Sequence, residues 1–382
     1  MELKIFNRAL ELQGIIDTFT SLIWTRRYFQ TGEFQLVAPL TIDSVNLLKR
    51  ENIIYKGNGE NEAGYIETVN ISLNTSGEEI MTIHGKFITN YLERRIVWGN
   101  DNVDSTSEVA MRSLVNKNAI TCPSERVISN LQLGALQSYT ETVKKSVSDK
   151  NLIEAVQEIA ETSQLGFRNT LDYINKKILF EVYKGVDRTV NQSFIAPCIF
   201  SRDFENILEQ EYTDSLNNFR NVTLVAGAGE GSARKRTTVG FATGLDRFEL
   251  FTDARDISDK KTISTPTDQV DENGNTIYED TEVQMSDGEY IPLLKQRGSE
   301  KLAECTDIKT FDSKINTQGN NIYKVDYDLG DIVTIQDKRW GLQVDTRITE
   351  IEEVYEGGKV EINPTFGNNI PTLIEKIKRM VR

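Results

Sequence analysis

The chain has 382 residues, of which 44 are lysine or arginine and 58 are aspartate or glutamate, giving a formal net charge of −14. With 38% hydrophobic and 27% charged residues it has the composition of a folded globular protein, and no apolar run reaches the ~18 residues of a membrane span. An acidic surface repels nucleic acid, which disfavours a DNA- or RNA-reading function.

The first hundred residues are predicted to be mostly strands. Residues 33–39 form an extended run, and residues 66–84 are predicted to form a hairpin whose turn lies at residues 74–77. A short helix is predicted at residues 43–50, with Asp43 as its N-cap.

The middle of the chain is predicted to contain helices. Residues 99–106 are polar and predict a loop, and Ser105 with Glu108 has the spacing of a capping box at a helix start. A second helix is predicted over residues 152–160, where apolar side chains recur at i, i+3, i+4, i+7 and i+8. Strands resume over residues 171–182.

The last part of the chain is again predicted to be extended, as far as residue 367. Residues 257–288 form an acidic hairpin insertion, with Asn273 and Gly274 as its turn. A short helix is predicted at residues 299–305, and a basic amphipathic helix at residues 368–382.

These elements predict a mainly β protein with some α-helix, in the α+β class. The chain divides into a strand-rich domain (1–99), a helix-containing middle domain (100–190), a second strand-rich region (191–367) and the C-terminal helix. Many short strands separated by turns favour barrels or sandwiches over a parallel sheet.

The stretch VAGAGEGSARKRT at residues 225–237 has the small residues of a phosphate-binding loop. Gly227 and Gly229 fit a dinucleotide fingerprint, but the third glycine, Gly231, comes one position early. The residues that follow are β-branched and predict a strand, so no helix N-terminus is available to receive a phosphate. We therefore expect a hairpin tip and no bound nucleotide.

Three basic residues at this tip, Arg234, Lys235 and Arg236, are predicted to face solvent or an acidic neighbouring subunit.

No cofactor or metal site is expected. His84 is the only histidine, which excludes multi-histidine metal sites, and we interpret it as a structural residue. Three cysteines, far apart in the chain, do not form a disulfide framework or a zinc motif. The run DENGN at 271–275 has its glycine at the wrong position for a calcium loop. Carboxylates are abundant, but nothing selects a catalytic pair.

Two arginine pairs lie among aromatic and apolar residues. One interpretation is surface ion pairs with little energetic weight, and the other is a subunit interface, where Arg, Trp and Tyr are favoured anchors. The candidate residues are Trp24, Arg26, Arg27, Tyr28, Arg94 and Arg95.

Several segments of the chain resemble a family of phage tail hub proteins, the tail-associated structural proteins of siphophages. This family is similar in kind to the baseplate hub of contractile tails. The matching segments occur in the family's order and are GIIDTFTSLIWTRRYFQTGEFQLVAP (14–39), IHGKFITNYLERRIVWG (83–99), NVTLVAGAGEG (221–231), YKVDYDLGDIVTI (323–335) and PTFG (364–367).

The resemblance implies a homotrimer at the distal end of a tail tube. Each subunit would carry two tube-like β-barrels, here residues 1–99 and 191–367, so that three subunits adapt a hexameric tube to a threefold spike or fibre. The implied partners are the tube or distal tail protein above, a spike, fibre or lysin-bearing protein below, and the tape-measure protein in the lumen. DNA would at most pass through without specific binding, and no stable membrane insertion is expected.

The function expected from the sequence is therefore that of a non-catalytic structural hub in the virion tail tip, made in a bacterial cytoplasm without a signal peptide. Two alternatives stay open: a cell-wall glycan hydrolase with a carboxylate pair, and a carbohydrate- or receptor-binding adhesin. The chain ends soon after PTFG, so we expect cell-wall cleavage to come from another protein. The terminal helix would either dock that partner or pack on its own domain. A siphophage, a contractile phage and a tail-like bacteriocin are all compatible with these residues.

Overall fold

A computed structural model provides the fold. It describes residues 1–57, 61–73, 77, 79–270, 276–316 and 319–367. Three predicted features lie wholly or partly outside these residues: most of the turn at 74–77, the turn at Asn273 and Gly274, and the C-terminal helix at 368–382.

The N-terminal part contains seven strands among its described residues. They are β1 (Leu3–Phe6), β2 (Leu12–Ile16), β3 (Ser21–Arg27), β4 (Glu33–Pro39), β5 (Ile53–Tyr55), β6 (Ala63–Leu73) and β7 (Glu79–Phe87). Helix α1 (Ile42–Leu47) connects β4 to β5, and a 3-10 helix (Ile88–Arg94) follows β7.

The middle part combines short strands with two α-helices. Its elements are β8 (Asn100–Thr106), α2 (Ser107–Val115), β9 (Leu131–Leu133), β10 (Thr142–Ser148), α3 (Leu152–Ser163), β11 (Gly166–Asp172) and β12 (Lys177–Tyr183). The apolar side of α3 is buried as its spacing predicts, and its N-cap Asn151 accepts a hydrogen bond from the Ile153 amide.

The C-terminal part is again mostly extended. Its elements are β13 (Asp187–Arg188), β14 (Ile199–Phe200), β15 (Ile207–Ser215), β16 (Val222–Ala226), β17 (Arg236–Val239), β18 (Glu249–Asp253), β19 (Lys260–Val270), β20 (Thr276–Gln284), α4 (Asp287–Ala303), β21 (Ile308–Ile315), β22 (Ile332–Asp337), β23 (Leu342–Glu356) and β24 (Lys359–Gly367).

Strands from both ends of the sequence share one large sheet. Its order is β15-β21-β24-β23-β3-β4-β7-β6-β5-β1-β2, and β22 joins it through β23 together with β13 and β14. The N-terminal and C-terminal strands meet where β3 pairs antiparallel with β23, so that Trp24 lies opposite Glu353 and Arg26 opposite Ile351. We call this contact the β3–β23 junction.

The predicted mainly β class is confirmed. The two predicted barrels are not confirmed, because the strands that the structure describes form open sheets and none of these sheets closes into a barrel. The two strand-rich regions are instead continuous through the β3–β23 junction. The predicted domain boundaries stay a prediction.

Two predicted helix caps and one predicted loop differ from the structure. The N-cap of α1 is Thr41, whose hydroxyl accepts from the Ser44 amide, where Asp43 was expected. The expected loop at 99–106 is strand β8, because it pairs with β10 along its whole length. Glu108 does not cap α2: its carboxylate accepts hydrogen bonds from the amides of Gln137 and Tyr139, which fold back over the helix.

The helix expected at residues 299–305 is the end of the much longer α4. Pro292 lies inside this helix, and its residues are mostly polar, so the sequence pattern hides the first three turns. The acidic hairpin is present as β19 and β20, but it ends at Gln284, before α4 begins.

The stretch at residues 225–237 is a hairpin connection, as predicted. Strands β16 and β17 pair antiparallel up to Ala226 and Arg236. Gly229 and Gly231 have φ angles of +94° and +56°, a left-handed backbone that favours glycine. Gly227 is needed for a different reason: a Cβ there would lie 2.3 Å from the Tyr290 hydroxyl on α4. The close approach is therefore to a helix of the same chain.

Candidate functional site

A buried group of connected polar side chains lies at the β3–β23 junction. We call it the Lys56 cluster. Its members come from β3, the segment between β5 and β6, the loop before β22, and β23, and they are Trp24, Arg26, Lys56, Glu62, Tyr323, Asp328, Glu353 and Tyr355.

Glu62 accepts hydrogen bonds from two side chains of strand β3. The Arg26 Nε donates to Glu62 Oε1 at 2.5 Å, and the Trp24 indole N–H donates to Glu62 Oε2 at 3.0 Å. Trp24 and Arg26 are two residues apart on one strand, so their side chains leave the same face of the sheet. Both are buried, so the indole N–H of Trp24 and the Nε of Arg26 need the partner that Glu62 provides.

Lys56 and Glu353 form the centre of the cluster. The Lys56 Nζ lies 2.5 Å from Glu353 Oε2, and neither side chain is exposed. The hydroxyls of Tyr323 and Tyr355 donate to the same carboxylate at 2.9 Å and 2.5 Å. Glu353 thus has the several partners that a buried carboxylate requires.

Burial and ion pairing act against each other at this centre. Burial lowers the pKa of Lys56 more than Glu62 and Glu353 raise it. For Glu353, burial by itself would raise the pKa, but the charges of Lys56 and Lys324 and the hydrogen bonds from Lys56 and Tyr355 hold the pKa below its usual value. The carboxylate form of Glu353 is therefore the stable one.

Arg26 extends the cluster to the loop that precedes β22. Its Nη1 donates to the Tyr323 hydroxyl at 2.7 Å and to Asp328 Oδ1 at 2.6 Å. Two of the segments that carry the family resemblance, 14–39 and 323–335, therefore contact each other directly.

Arg27 points to the opposite face of β3. It donates to Glu350 on β23 and to Glu33 on β4, each at 2.6 Å. Burial lowers its pKa, but the two carboxylates more than compensate, so the pKa is raised. Its partners are again groups of the same chain.

Tyr28 lies where the middle part meets the C-terminal part. Its hydroxyl accepts a hydrogen bond from the Gly185 amide at 3.2 Å and lies 3.2 Å from the Gln164 carbonyl oxygen. Its buried ring packs against Gly166 and Gly330, where an added Cβ would come within 2.4 Å and 2.3 Å of the ring.

The second arginine pair has internal partners as well. Arg94 donates to both carboxylate oxygens of Glu51 and stacks on the rings of Tyr65 and Tyr91, 4.7 Å from each ring centroid. Arg95 donates from its Nε to the Arg126 carbonyl at 2.5 Å.

The basic residues of the 225–237 hairpin are not equivalent. Arg234 is mostly buried and donates to the carbonyls of Ala226 and Gly227 and to Asp253. Lys235 is exposed and pairs with Asp287 at 2.8 Å, while exposed Arg236 reaches the Gly231 carbonyl.

Trp24, Arg26 and Tyr28 are therefore held inside a single chain, and Arg234 is largely covered. A subunit contact stays a prediction for the whole set. Its exposed members are Arg94, Lys235 and Arg236, and Arg27 and Arg95 are partly exposed. Sequence reasoning missed Lys56, Glu62 and Glu353. The one available signal is a lysine directly after the buried strand β5, since a lysine is rarely buried without a partner.

The described residues contain no group of three or more histidine, cysteine, aspartate or glutamate side chains arranged to hold a metal ion. Among the same residues, no helix has the length and apolar character that a membrane crossing requires.

This fold is shared with tail proteins of phages and prophages. The tail protein from Neisseria meningitidis MC58 matches with a TM-score of 0.55 and 12% identity over 96% of each chain. The 43 kDa tail protein of prophage MuSo2 from Shewanella oneidensis matches with a TM-score of 0.55 and 10% identity, over 96% of this chain and 98% of that one. Prophage tail protein gp18 from Listeria monocytogenes EGD-e matches with a TM-score of 0.50 and 9% identity, over 100% and 98%.

The chain has the architecture of a phage tail protein. It belongs to the siphovirus ReqiPepy6 Gp37-like protein family, whose model matches residues 2–368. The resemblance to siphophage tail proteins seen in the sequence is thereby confirmed. No curated protein sequence matches the chain significantly.

Proposed function

We propose that this tail protein is a non-catalytic structural hub at the distal end of a phage tail or phage-like tail tube. The observation that carries the proposal is the family match over residues 2–368, together with a fold shared over nearly the full length of tail proteins. In this role the chain adapts a hexameric tube to a threefold spike or fibre.

The way the two parts of the chain are joined supports a role in transmitting force. Strands from both ends of the chain continue into one another at β3 and β23, and the Lys56 cluster holds them together from one side. An interface of backbone hydrogen bonds and buried ion pairs resists relative movement of the two parts. A tail subunit that transmits force between a tube and a spike benefits from such a connection.

The proposed assembly is a homotrimer. Its partners are the tube or distal tail protein on one side and a spike, fibre or lysin-bearing protein on the other. The tape-measure protein would occupy the lumen, and DNA would pass without specific binding, consistent with the net charge of −14. Exposed Lys235 and Arg236 are proposed to face acidic groups of a neighbouring subunit.

The absence of catalysis is proposed on the match to phage tail proteins, and the placement of two buried carboxylates agrees with it. Glu62 and Glu353 are the acids that Lys56 brings together, and their side chains are 8% and 0% exposed. A glycan polymer cannot reach carboxylates that are covered and bound by cations. Clearing of purified peptidoglycan by the chain, lost on substitution of a particular aspartate or glutamate, would contradict this part of the proposal.

The structural role is tested by removing the gene from the phage or prophage that encodes it and examining the particles by negative-stain electron microscopy. We expect incomplete tails or free heads, with complete tails restored by the chain supplied in trans. Complete tails that only fail to attach to cells would favour the adhesin alternative and would contradict a hub.

A further inference from the structure

A surface groove lies on the N-terminal part of the molecule, away from the Lys56 cluster. It has a volume of about 870 Å³ and lies between the β1–β2 turn, α1 with the turn that follows it, and strands β6 and β7. We call it the α1 groove. Its volume is in the range of about 300–1,000 Å³ that is typical of sites occupied by ligands.

The floor of the α1 groove is apolar. Leu48 and Met81 form its buried base, each 1% exposed, while Val45 on α1 and Ile71 on β6 are 42% and 51% exposed. The exposed side chains leave apolar area in water, and its removal from water by a partner is favourable.

The rim of the α1 groove is basic although the chain as a whole is acidic. Arg8, Lys49 and Arg50 line it, and among the lining residues that the structure describes the one acid is Glu51. Glu51 is already bound by Arg8 at 2.8 Å and by Arg94 at 3.0 Å, and these cations lower its pKa against the effect of burial.

Lys49 and Arg50 are exposed, and within the part of the chain that the structure describes neither makes an ion pair. Glu11, on the turn between β1 and β2, accepts a hydrogen bond from the lining residue Asn7 at 2.9 Å, and Lys176 at 3.6 Å offsets its charge. The rim therefore keeps an excess of positive charge directly above an apolar floor.

We propose that the α1 groove is a docking site for an acidic segment of a partner protein that inserts apolar side chains between α1 and β6. The glutamates or aspartates of such a segment pair with Lys49 and Arg50, and its apolar side chains cover Val45 and Ile71. The apolar floor disfavours a nucleic acid, whose backbone phosphates would contact only the rim. This inference goes beyond the hub role and does not depend on it.

The test measures binding of synthetic peptides to the full chain by fluorescence anisotropy at about 150 mM salt. The probe is a fluorescein-labelled peptide of glutamate, leucine and serine. Two comparison peptides replace its leucines by serine and its glutamates by lysine, respectively. A single-stranded DNA oligonucleotide is the third comparison probe. We expect the glutamate–leucine peptide to bind at least about tenfold tighter than each of the other three.

Two variants locate the binding. The double variant Lys49→Glu/Arg50→Glu should weaken binding of the glutamate–leucine peptide by about tenfold or more. Ile71→Ser should also weaken binding of the glutamate–leucine peptide, and should reduce the difference in affinity between this peptide and the leucine-free peptide. The matched control is Lys338→Glu/Arg339→Glu, which changes the same number of exposed charges on the distant β22–β23 turn and should leave binding unchanged.

Three results would overturn the proposal: no binding of the glutamate–leucine peptide, equal or tighter binding of the leucine-free peptide or DNA, and an equal loss in the control variant. A fourth is self-association of the chain that Lys49→Glu/Arg50→Glu abolishes while the peptide does not bind. That result would make a second copy the occupant. Unchanged melting temperatures for both double variants establish that the comparison concerns folded protein.

Discussion

Lys56 and Glu353 are 297 residues apart in the sequence and form an ion pair of 2.5 Å in which neither side chain reaches solvent. Lys56 follows β5 in the N-terminal part, and Glu353 lies on β23 in the C-terminal part. Because the removal of two charges from water costs several kcal/mol for each ion, the pair is tolerated only with additional partners, which Glu62, Tyr323 and Tyr355 supply.

The first prediction concerns this pair. Lys56→Met or Glu353→Gln alone should lower the free energy of unfolding by about 3–5 kcal/mol, because each leaves a buried charge without its partner. The combined substitution should recover a large part of that loss, since no uncompensated charge remains. Chemical denaturation followed by tryptophan fluorescence measures all three, and Trp24 lies within the cluster.

The control for this cycle is the surface ion pair of Lys144 and Asp104, in which the Lys144 Nζ lies 2.8 Å from Asp104 Oδ2. Their side chains are 54% and 73% exposed. Lys144→Met should change the free energy of unfolding by at most about 0.5 kcal/mol. If Lys56→Met cost no more than this control, the buried pair would not hold the two parts of the chain together.

The second prediction is a loss of stability in acid. The folded chain lowers the pKa of Glu353 below its ordinary value of 4.5, so the unfolded chain binds more protons in this range. The contribution of Glu353 to the free energy of unfolding is fully present above about pH 4.5. It is lost as the pH falls through the lowered pKa that Glu353 has in the folded chain. Thermal unfolding between about pH 6 and 3 should show the decline, and its slope should be smaller in Lys56→Met/Glu353→Gln. Equal slopes would show that Glu353 does not contribute.

The third prediction concerns Tyr28. Tyr28→Phe removes the acceptor of the Gly185 amide and should cost about 1 kcal/mol or more, because that amide loses its partner in a partly buried position. Tyr28→Ala also leaves a cavity beside Gly166 and Gly330 and should cost about 3–5 kcal/mol. Denaturant unfolding compares the two, and an equal cost would mean that the ring contributes nothing by packing.

The fourth prediction separates the basic residues at the 225–237 hairpin. Arg234→Ser should lower stability by about 1.5–3 kcal/mol, since charged hydrogen bonds to two carbonyls and Asp253 are lost. Lys235→Ser and Arg236→Ser should leave the melting temperature nearly unchanged, because both side chains are exposed. A weakened assembly with Lys235→Ser or Arg236→Ser but an unchanged melting temperature would support their contact with a neighbouring subunit.

The sequence predicts what depends on local pattern. Helix α3 follows from its apolar spacing, and the hairpin of β16 and β17 from its glycines and β-branched residues. By contrast, the sequence does not predict most of α4, because Pro292 and polar residues obscure the helical periodicity. This helix is stabilised by its packing on the sheet that contains β16, where Gly298 contacts Val225.

The candidate site was only half predictable. The aromatic and basic residues at 24–28 are conspicuous in the sequence. Glu62, which binds Trp24 and Arg26, and Glu353, which binds Lys56, look like ordinary surface carboxylates. Pairing of β3 with β23 brings Glu353 next to Trp24. A local sequence pattern does not predict a contact between strands that are more than three hundred residues apart. For the same reason, side chains expected at a subunit interface, Trp24 and Tyr28 among them, are buried within the chain.

Electron cryo-microscopy of the intact particle that carries this protein tests the central claim most directly. The account predicts three copies of the chain in a ring at the distal end of the tail tube, between the tube and the spike or fibre. Density for the chain at another position, a copy number that is not a multiple of three, or its absence from the assembled particle would contradict the proposed hub.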